Sequence, residues 1–262
     1  MAPVSKLAVQ NIQKSYSNNG LEKTKVLDGI SFSMHEGEFT AIVGPSGCGK
    51  TTLLKIIAGL LESDEGQVRI DGNLVGRGHS RVGYIFQQES LFPWLNVKQN
   101  IKFGLDITGY SSQEIATRTD EMLDLVGLEG LEKNYPHEIS GGQARRVEMA
   151  RSLITRPDIL VSDEAFSNLD AQTRNYLQDE FLRIWENTGS SILFVTHNVD
   201  EAVYTSDRIL VLSNIPSQII AEFDIDIPRP RDRTSKECIE YRAEVLEILK
   251  VEQQKAMARL ER

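Results

Sequence analysis

The pattern of hydrophobic and polar positions changes several times along the 262-residue chain. Near the start, short alternating segments predict two strands, Leu7–Val9 and Ile30–Met34, and residues 35–38 predict a turn. Residues 66–72 predict a further strand that ends in an Asp-Gly turn. Together these segments predict a small antiparallel β subdomain at the amino-terminal end.

Later apolar runs show no alternation and are separated by helical stretches, of which Thr51–Leu61 is the first. Runs of this kind are typical of strands that are buried on both faces of a parallel sheet. We therefore predict an α/β fold with a parallel core. The predicted core strands are Phe39–Val43, Ile159–Val161, Ile192–Val195 and Ile209–Leu212.

The middle of the chain has a helical character. Residues 95–156 are predicted to be helical throughout, and Pro157 ends the last helix. We place an inserted helical subdomain at about residues 88–157, within a domain that spans residues 1–233. Prolines 228 and 230 favour an extended connection to a charged helical tail over residues 234–262. The apolar positions that should pack as one narrow stripe of this tail are Val245, Leu246, Ile248 and Leu249.

Composition narrows the class of protein. The chain has 29 basic and 38 acidic residues, a formal net charge of −9, so we expect no nucleic-acid partner. No apolar run approaches the roughly 20 residues that cross a bilayer, and the amino terminus lacks a signal-peptide pattern. We expect a cytoplasmic chain in which Cys48 and Cys238 are reduced thiols.

The segment Gly44–Thr51 has the spacing Gly-x4-Gly-Lys-Thr between a predicted strand and a predicted helix. Its glycines let backbone N–H groups surround nucleotide phosphates at a helix amino terminus. Lys50 adds a positive charge against the β- and γ-phosphates, and the Thr51 hydroxyl can bind Mg2+. The motif alone predicts a phosphate site that kinases, GTPases and ATPases share. The residues expected to line it are Gly44, Pro45, Ser46, Gly47, Cys48, Gly49, Lys50, Thr51 and Thr52.

An acidic pair follows the apolar run 159–162. Asp163 can hold Mg2+, and Glu164 can act as a general base toward the attacking water. Downstream of a phosphate loop, this pair favours nucleotide hydrolysis.

Two further strand ends carry polar side chains. His197 ends a core strand at the edge where open parallel sheets bind ligands, and it can orient the γ-phosphate. Gln87 follows the strand residues 84–86, and its amide can reach Mg2+ or water; the neighbouring Gln88 is an open alternative.

The segment Ile139–Gln143 is a Ser-Gly-Gly turn that leads into a predicted helix over residues 143–154. Such a helix start forms a second anion site. One nucleotide in the Gly44–Thr51 loop does not need this site, whereas two chains arranged head-to-tail would use both. The residues predicted to contact the nucleotide of the other chain are Ser140, Gly141, Gly142 and Gln143.

With these motifs in this order, the chain resembles the ATP-binding subunits of ABC transporters over roughly residues 5–230. The resemblance implies a P-loop NTPase (RecA-like) core, an ATPase activity with ATP and Mg2+, catalytic roles for Lys50, Glu164 and His197, and an adenine-stacking role for Tyr16. The matching motifs are Gly44–Thr51 (Walker A), Gln87 (Q-loop), Ile139–Gln143 (signature, with Ile for Leu), Ile159–Glu164 (Walker B), Ser167–Asp170 (D-loop) and His197 (switch histidine).

Two positions depart from the family pattern. Ala165 stands where proline often follows the catalytic glutamate, and Ser167-Asn168 replaces the usual small pair of the D-loop. Neither change removes a chemical group that hydrolysis needs. They could change the geometry of the D-loop, so we expect them to affect the rate of hydrolysis and not whether it occurs.

The segments Phe92–Leu95 and Ile227–Arg233 resemble those of the importer group for nitrate, sulfonate and taurine, which bicarbonate importers share. This resemblance implies a second nucleotide-binding subunit, transmembrane permease subunits and, indirectly, a solute-binding protein. It implies a location on the cytoplasmic face of the membrane. Phe92 and Trp94 would then line a groove for a coupling helix of the permease, although both could equally be core residues.

Three other functions compete with import of a small anion. A soluble ABC ATPase of the DNA-repair or translation type usually has a long coiled-coil insertion or two cassettes in one chain. A P-loop kinase would not need Ile139–Gln143. An exporter subunit is disfavoured by the importer resemblance, so a soluble ABC-type ATPase is the main alternative.

Overall fold

The computed structural model describes residues 5–17, 23–76, 81–167 and 169–260. The chain divides into two compact units, of which the first comprises Met1–His79 and Ser191–Arg262 and the second comprises Ser80–Ser190. A short 3-10 turn covers Pro136–Glu138. The strands and helices are, in chain order, β1 (Leu7–Ser17), β2 (Lys23–Met34), β3 (Phe39–Val43), α1 (Lys50–Ile57), β4 (Glu65–Ile70), β5 (Asn73–Leu74), β6 (Val82–Ile85), α2 (Val97–Asp106), α3 (Ser112–Leu125), α4 (Gly141–Leu153), β7 (Ile159–Asp163), α5 (Ala171–Thr188), β8 (Ser191–Thr196), α6 (Val199–Thr205), β9 (Arg208–Leu212), β10 (Ile219–Asp224) and α7 (Lys236–Leu260).

The first unit contains the predicted antiparallel sheet, with the strand order β2-β1-β4-β5. Leu7 lies opposite Met34 of β2 and opposite Ile70 of β4, and all three side chains are buried. The strands β1 and β2 are longer than their apolar ends predicted, because their outer halves consist mostly of polar residues that are half-buried or exposed and so give no apolar pattern.

A parallel group of strands, β9-β3-β8, forms the core of the same unit. Every residue of β3 and of β8 is buried, as continuous apolar strands between two layers should be. The α/β fold is therefore confirmed. The strand β10, antiparallel to β9, was not predicted, because its consecutive apolar residues number only three and are followed by the acidic residues Glu222 and Asp224.

The helix α1 ends at Ile57, four residues before the predicted end at Leu61. Gly59 takes the left-handed conformation, with φ of +67°, and the N–H of Leu60 donates to the carbonyl of Lys55. This arrangement is a Schellman motif, which closes a helix with a glycine.

The carboxyl-terminal helix α7 packs differently from its predicted stripe. Its buried residues Cys238, Val245 and Glu252 recur every seven positions, whereas Leu246 is 47% exposed. Adjacent helical residues point about 100° apart, so Leu246 cannot share the buried face of Val245.

The connection before α7 is also more than an extended linker, because Arg231 is buried in it. The Arg231 guanidinium donates to the carbonyls of Val203 and Ser206 at 2.7 and 2.6 Å. This side chain fastens the connection to the end of α6.

The second unit contains the parallel pair β6 and β7 and the helices α2 to α5. The prediction that residues 95–156 are helical throughout is wrong. Three separate capping boxes begin α2, α3 and α4, at Asn96, Ser111 and Ser140, and residues 126–135 are turns. Each box satisfies two of the free N–H groups of a new helix start, so the region contains three separate helices.

Among the residues that the structure describes, no helix combines the length and the apolar character that a membrane span requires.

Candidate functional site

The predicted phosphate loop connects β3 to α1 in the first unit, and α1 begins at Lys50. Gly47 and Gly49 have φ values of +78° and +105°, which favour glycine. A Cβ on Gly49 would lie 2.7 Å from Val26 Cγ1 and 2.9 Å from a Leu27 methyl group. The backbone of the loop therefore lies directly against β2, and a side chain at position 49 would force the two apart.

Lys50 is held inside this loop, with 6% of its surface exposed. Its Nζ donates to the carbonyls of Gly44 and Pro45 at 2.9 and 3.0 Å. The ammonium charge thus lies at the amino terminus of α1, where the helix dipole adds further positive potential. This arrangement attracts an anion.

Tyr16 lies beside the same helix. Its hydroxyl is 3.4 Å from Oγ1 of Thr52, and the residue is 44% exposed. The Lys14 ammonium is 6.0 Å from the ring centroid. The structure therefore places the predicted adenine contact next to the helix that follows the phosphate loop, in a partly exposed position.

Cys48 is 2% exposed, so its thiol points into the protein. Burial raises the pKa of this thiol, although the nearby Lys50 charge opposes the effect. The carbonyl of Cys48 accepts a hydrogen bond from the hydroxyl of Ser217. Position 48 can therefore serve the phosphate site through its backbone, and Ser217 supports the loop from the β9–β10 connection.

His197 follows the last residue of β8 and is exposed. Val43 and Thr196 are partners in the parallel pair β3–β8, so His197 and the phosphate loop leave the sheet at the same edge. The hydroxyl of Thr196 donates to Glu201 at 2.6 Å and accepts the N–H of Asn198 at 3.0 Å. These bonds fix the turn that carries His197.

In the second unit, β6 and β7 run parallel, with Ile85 opposite Ser162. Their carboxyl ends bring Gln87 next to Glu164, and Gln87 Nε2 donates to Glu164 Oε2 at 3.1 Å. Gln87, and not Gln88, makes this contact with the predicted base.

Glu164 has a φ of +46°, which is uncommon for a residue with a Cβ. The N–H and the hydroxyl of Ser167 donate to the Glu164 carbonyl at 3.1 and 2.9 Å. The D-loop serine, which departs from the family pattern, therefore stabilises the turn that carries Glu164. Asn168 is outside the described residues.

Asp163 is 4% exposed and accepts a hydrogen bond from the Tyr84 hydroxyl at 3.3 Å. Burial first, and then the Asp163 charge, raises the pKa of Tyr84 far above its ordinary value. Tyr84 thus stays a hydrogen-bond donor, which orients the carboxylate at the end of β7.

The predicted signature turn forms the start of α4. Ser140 accepts the N–H of Gln143 at 3.3 Å, and Gln143 Oε1 accepts the N–H of Ser140 at 2.8 Å. An open cavity of about 530 Å3 lies against this turn, and α5 supplies its other wall with Thr173 and Tyr176. The signature and the start of α5 therefore face one shared cavity.

The structure thus brings the predicted residues together in two sets, one in each unit. The phosphate loop, Tyr16 and His197 belong to the first unit, and Gln87, the acidic pair and the signature belong to the second. Three residues that support these sets were not predicted, namely Tyr84, Ser217 and Arg145, whose guanidinium donates to the carbonyls of Phe86 and Ala165. Of the three, Tyr84 carried a signal, because it lies three positions before Gln87 on a predicted strand.

Comparisons with known proteins identify the family to which these motifs belong. The family model described as ABC transporter matches residues 27–167. An uncharacterised ABC transporter ATP-binding protein of Methanocaldococcus jannaschii is 49% identical over 253 residues, covering 96% of this chain and 94% of that protein. An aliphatic sulfonates import ATP-binding protein of Bacillus cereus is 41% identical over 241 residues, covering 92% of this chain and 94% of that protein.

A solved dimeric ATP-binding cassette, in a post-hydrolysis state with ADP and Pi, aligns with a TM-score of 0.73 and 29% identity. It covers 85% of this chain and 100% of the solved chain. The chain therefore belongs to the ABC transporter family, as an ATP-binding ATPase. The predicted activity and the predicted ATP binding are confirmed at this level.

Proposed function

We propose that this chain energises the import of a small sulfonate, such as an aliphatic sulfonate or taurine, by hydrolysing ATP on a membrane permease. The hydrogen bond between Gln87 and Glu164 carries the hydrolytic part, because it orients a carboxylate at a strand end. The similarity to a sulfonate import protein supports the substrate class. Nitrate and bicarbonate are the alternative anions.

In this proposal the Glu164 carboxylate accepts the proton of the attacking water as general base. Lys50 contacts the β- and γ-phosphates, and His197 orients the γ-phosphate at the same sheet edge. Tyr16 stacks on the adenine through its ring. The hydrogen bonds from Lys50 to the carbonyls of Gly44 and Pro45 support its role in phosphate binding, because they hold the ammonium within the phosphate loop.

The proposed Mg2+ ligands are the Thr51 hydroxyl, the Gln87 amide and the Asp163 carboxylate. All three are oxygen donors, which suit this cation, and Tyr84 orients the carboxylate. Among the described residues, no cluster of three or more His, Cys, Asp or Glu side chains could hold a metal alone. This fits Mg2+, which nucleotide phosphates help to bind. The bound ion would neutralise charge on those phosphates.

The functional unit would be a pair of cassettes arranged head-to-tail, of this chain or of this chain and a homologue. Ser140, Gly141, Gly142 and Gln143 would then contact the nucleotide held by the loop of the other chain. The cavity against the signature turn supports this, because it leaves the start of α4 accessible. The dimeric form of the solved relative supports it independently.

The permease contact would involve an aromatic cluster of the second unit, formed by Phe92, Trp94 and Phe103. The Phe92 ring centroid lies 5.6 Å from that of Trp94 and 4.6 Å from that of Phe103. Trp94 is 70% exposed, so it is not a core residue. An exposed aromatic cluster suits a protein partner. The chain would then act at the cytoplasmic face of the membrane, with a solute-binding protein delivering the substrate to the permease.

The central experiment is the variant Glu164→Gln. It should bind ATP as wild type does, lose nearly all turnover, and accumulate as an ATP-bound dimer in gel filtration. Wild-type hydrolysis by this variant would show that Glu164 is not the base. Ser140→Arg should keep ATP binding to the single chain but lose ATPase activity, and unchanged activity would contradict the head-to-tail pair.

The transport role is tested separately from hydrolysis. A tagged chain, co-expressed with candidate permease subunits, should retain two membrane subunits through purification in detergent. In vesicles, uptake of a labelled sulfonate should require ATP and these subunits. Purification without any membrane subunit would favour a soluble ABC-type ATPase.

A further inference from the structure

We propose that Arg145 is a positioning residue for ATP hydrolysis, which fixes the backbone on both sides of the Gln87–Glu164 pair. This inference rests on the proposed role of Glu164 as general base. Arg145 lies in the first turn and a half of α4, after the signature, and none of the family motifs described above includes it.

The Arg145 guanidinium joins two segments that are distant in sequence. It is 6% exposed, and its Nε donates to the carbonyl of Ala165 at 2.6 Å. Its Nη1 donates to the carbonyl of Phe86 at 2.8 Å. Ala165 directly follows Glu164, and Phe86 directly precedes Gln87. One rigid group therefore holds the chain immediately next to each partner of the hydrogen bond.

Glu148, one turn further along α4, keeps this guanidinium in place. Its Oε2 accepts from Arg145 Nη1 at 2.5 Å, and only 1% of the glutamate is exposed. Its Oε1 accepts the N–H and the hydroxyl of Ser90 at 2.5 and 2.9 Å. The buried charges compensate each other, and residues 86 and 90 are tied to the same helix.

This clamp matters because the segments that it holds have little regular structure of their own. Gln87 follows the end of β6, and Glu164 follows the end of β7 in the left-handed conformation. Without the guanidinium, the carbonyls of Phe86 and Ala165 would lose a shared donor, and the two side chains could shift independently. A displacement of about 1 Å near reacting groups can lower a rate by about 100-fold.

The test is the variant Arg145→Met, which keeps most of the side-chain length but has no donor. We expect kcat for ATP hydrolysis to fall about 10- to 100-fold, while KM for ATP stays within about 2-fold of wild type. Hydrogen exchange should become faster at residues 86–90 and 164–167 and stay unchanged in the phosphate loop. If Arg145→Met does not fold, Arg145→Lys is measured in its place, because one ammonium lacks the fork that spans two carbonyls.

The control is Arg231→Met in the connection before α7. Arg231 is buried to the same degree as Arg145, with 7% exposed, and its guanidinium also donates to backbone carbonyls of two residues distant in sequence, Val203 and Ser206. It lies outside the proposed catalytic and binding residues, so its loss should leave kcat within about 2-fold of wild type. An equal fall in both variants would reduce Arg145 to a general structural role and overturn the proposal.

A double-variant cycle separates this proposal from the role of Glu164. If Arg145 acts through Glu164, then Arg145→Met should lower the single-turnover rate of ATP cleavage in the wild-type background but lower it little further in the Glu164→Gln background. If the double variant instead shows the product of the two single-variant rate losses, the positioning role is wrong. An inactive Glu164→Gln with an active, folded Arg145→Met would refute this inference alone. Wild-type turnover in Glu164→Gln would refute the base assignment, and this inference with it.

Discussion

The side-chain amide of Gln87 donates to the carboxylate of Glu164 across 3.1 Å, although 77 positions separate the two residues in the chain. The contact forms because β6 and β7 are parallel neighbours and both side chains lie just beyond the carboxyl ends of these strands. The proposed base and the Q-loop residue are thus one unit in this structure.

Gln87→Ala removes the amide that orients this carboxylate. A hydrogen bond to a charged group contributes about 1.5 kcal/mol or more, so we expect kcat to fall by about 10-fold. The fall should appear in steady-state ATPase assays at saturating ATP. Gln88→Ala is the control, because Gln88 does not make the contact with Glu164, and equal losses in both variants would contradict the assigned role.

Tyr16→Ala should weaken ATP binding while Tyr16→Phe should not. Stacking of a base on an aromatic ring contributes about 1–3 kcal/mol, which corresponds to roughly a 10-fold rise in Kd for ATP in the alanine variant. The phenylalanine variant loses only the hydroxyl contact with Thr52 and should bind within about 2-fold of wild type. Titration calorimetry with a non-hydrolysed ATP analogue measures both. Equal weakening would mean that the hydroxyl, and not the ring, is what matters.

The two left-handed glycines of the phosphate loop should differ in their tolerance of a methyl group. Gly49→Ala and Gly47→Ala each place a Cβ at positive φ, at a cost of about 1–2 kcal/mol. Only at Gly49 does the new atom meet β2, at 2.7 Å from Val26, and overpacking adds about 1–3 kcal/mol. Urea unfolding without nucleotide should therefore rank Gly49→Ala as clearly less stable. Equal stability would mean that β2 moves away at little cost.

Much of the fold could be predicted because its signals are local. The strand β3 is an apolar run whose residues all turn out to be buried, and Asp163 and His197 follow such runs directly. Parallel strands place their carboxyl ends at one edge of a sheet, so polar residues at those positions point to the site. The breaks in the helical region also had local signals, since the pairs Asn96–Gln99 and Ser111–Glu114 are capping boxes.

The supporting residues could not be predicted from such signals. Arg145 and Glu148 are charged residues of a helix, and charged helix positions usually face water. They are buried because their charges neutralise each other and because the carbonyls of Phe86 and Ala165, just beyond the ends of β6 and β7, accept hydrogen bonds from the guanidinium. Ser217 supports the phosphate loop across 169 positions of sequence, a contact that no local pattern encodes.

Glu252 should be the most important anchor of the carboxyl half of α7. It is 4% exposed, and its carboxylate accepts the N–H of Asn214 at 3.0 Å and the ammonium of Lys255 at 2.6 Å. We expect Glu252→Gln to lower the free energy of unfolding at pH 7 by about 1–2 kcal/mol, because it removes the charge from both hydrogen bonds. The control is Glu247→Gln, whose partner Lys250 and whose own side chain are both largely exposed, so that pair should contribute little.

The pH dependence of the difference in unfolding free energy between wild type and Glu252→Gln shows whether the charge of Glu252 causes that difference. Burial alone would raise the pKa of Glu252, but the bonds from Lys255 and Asn214 outweigh it and hold the pKa below its ordinary value. A lowered pKa in the folded state means that the unfolded state binds the proton more readily, so the stabilisation is complete at neutral pH and is lost on acidification. The stability gap between wild type and Glu252→Gln, measured by urea unfolding, should therefore begin to narrow as the pH falls below the ordinary glutamate pKa of about 4.3, and should go on narrowing toward the lower pKa of the folded state. A gap that stays constant well below that ordinary pKa would mean that the glutamine disturbs packing and that the charge contributes nothing.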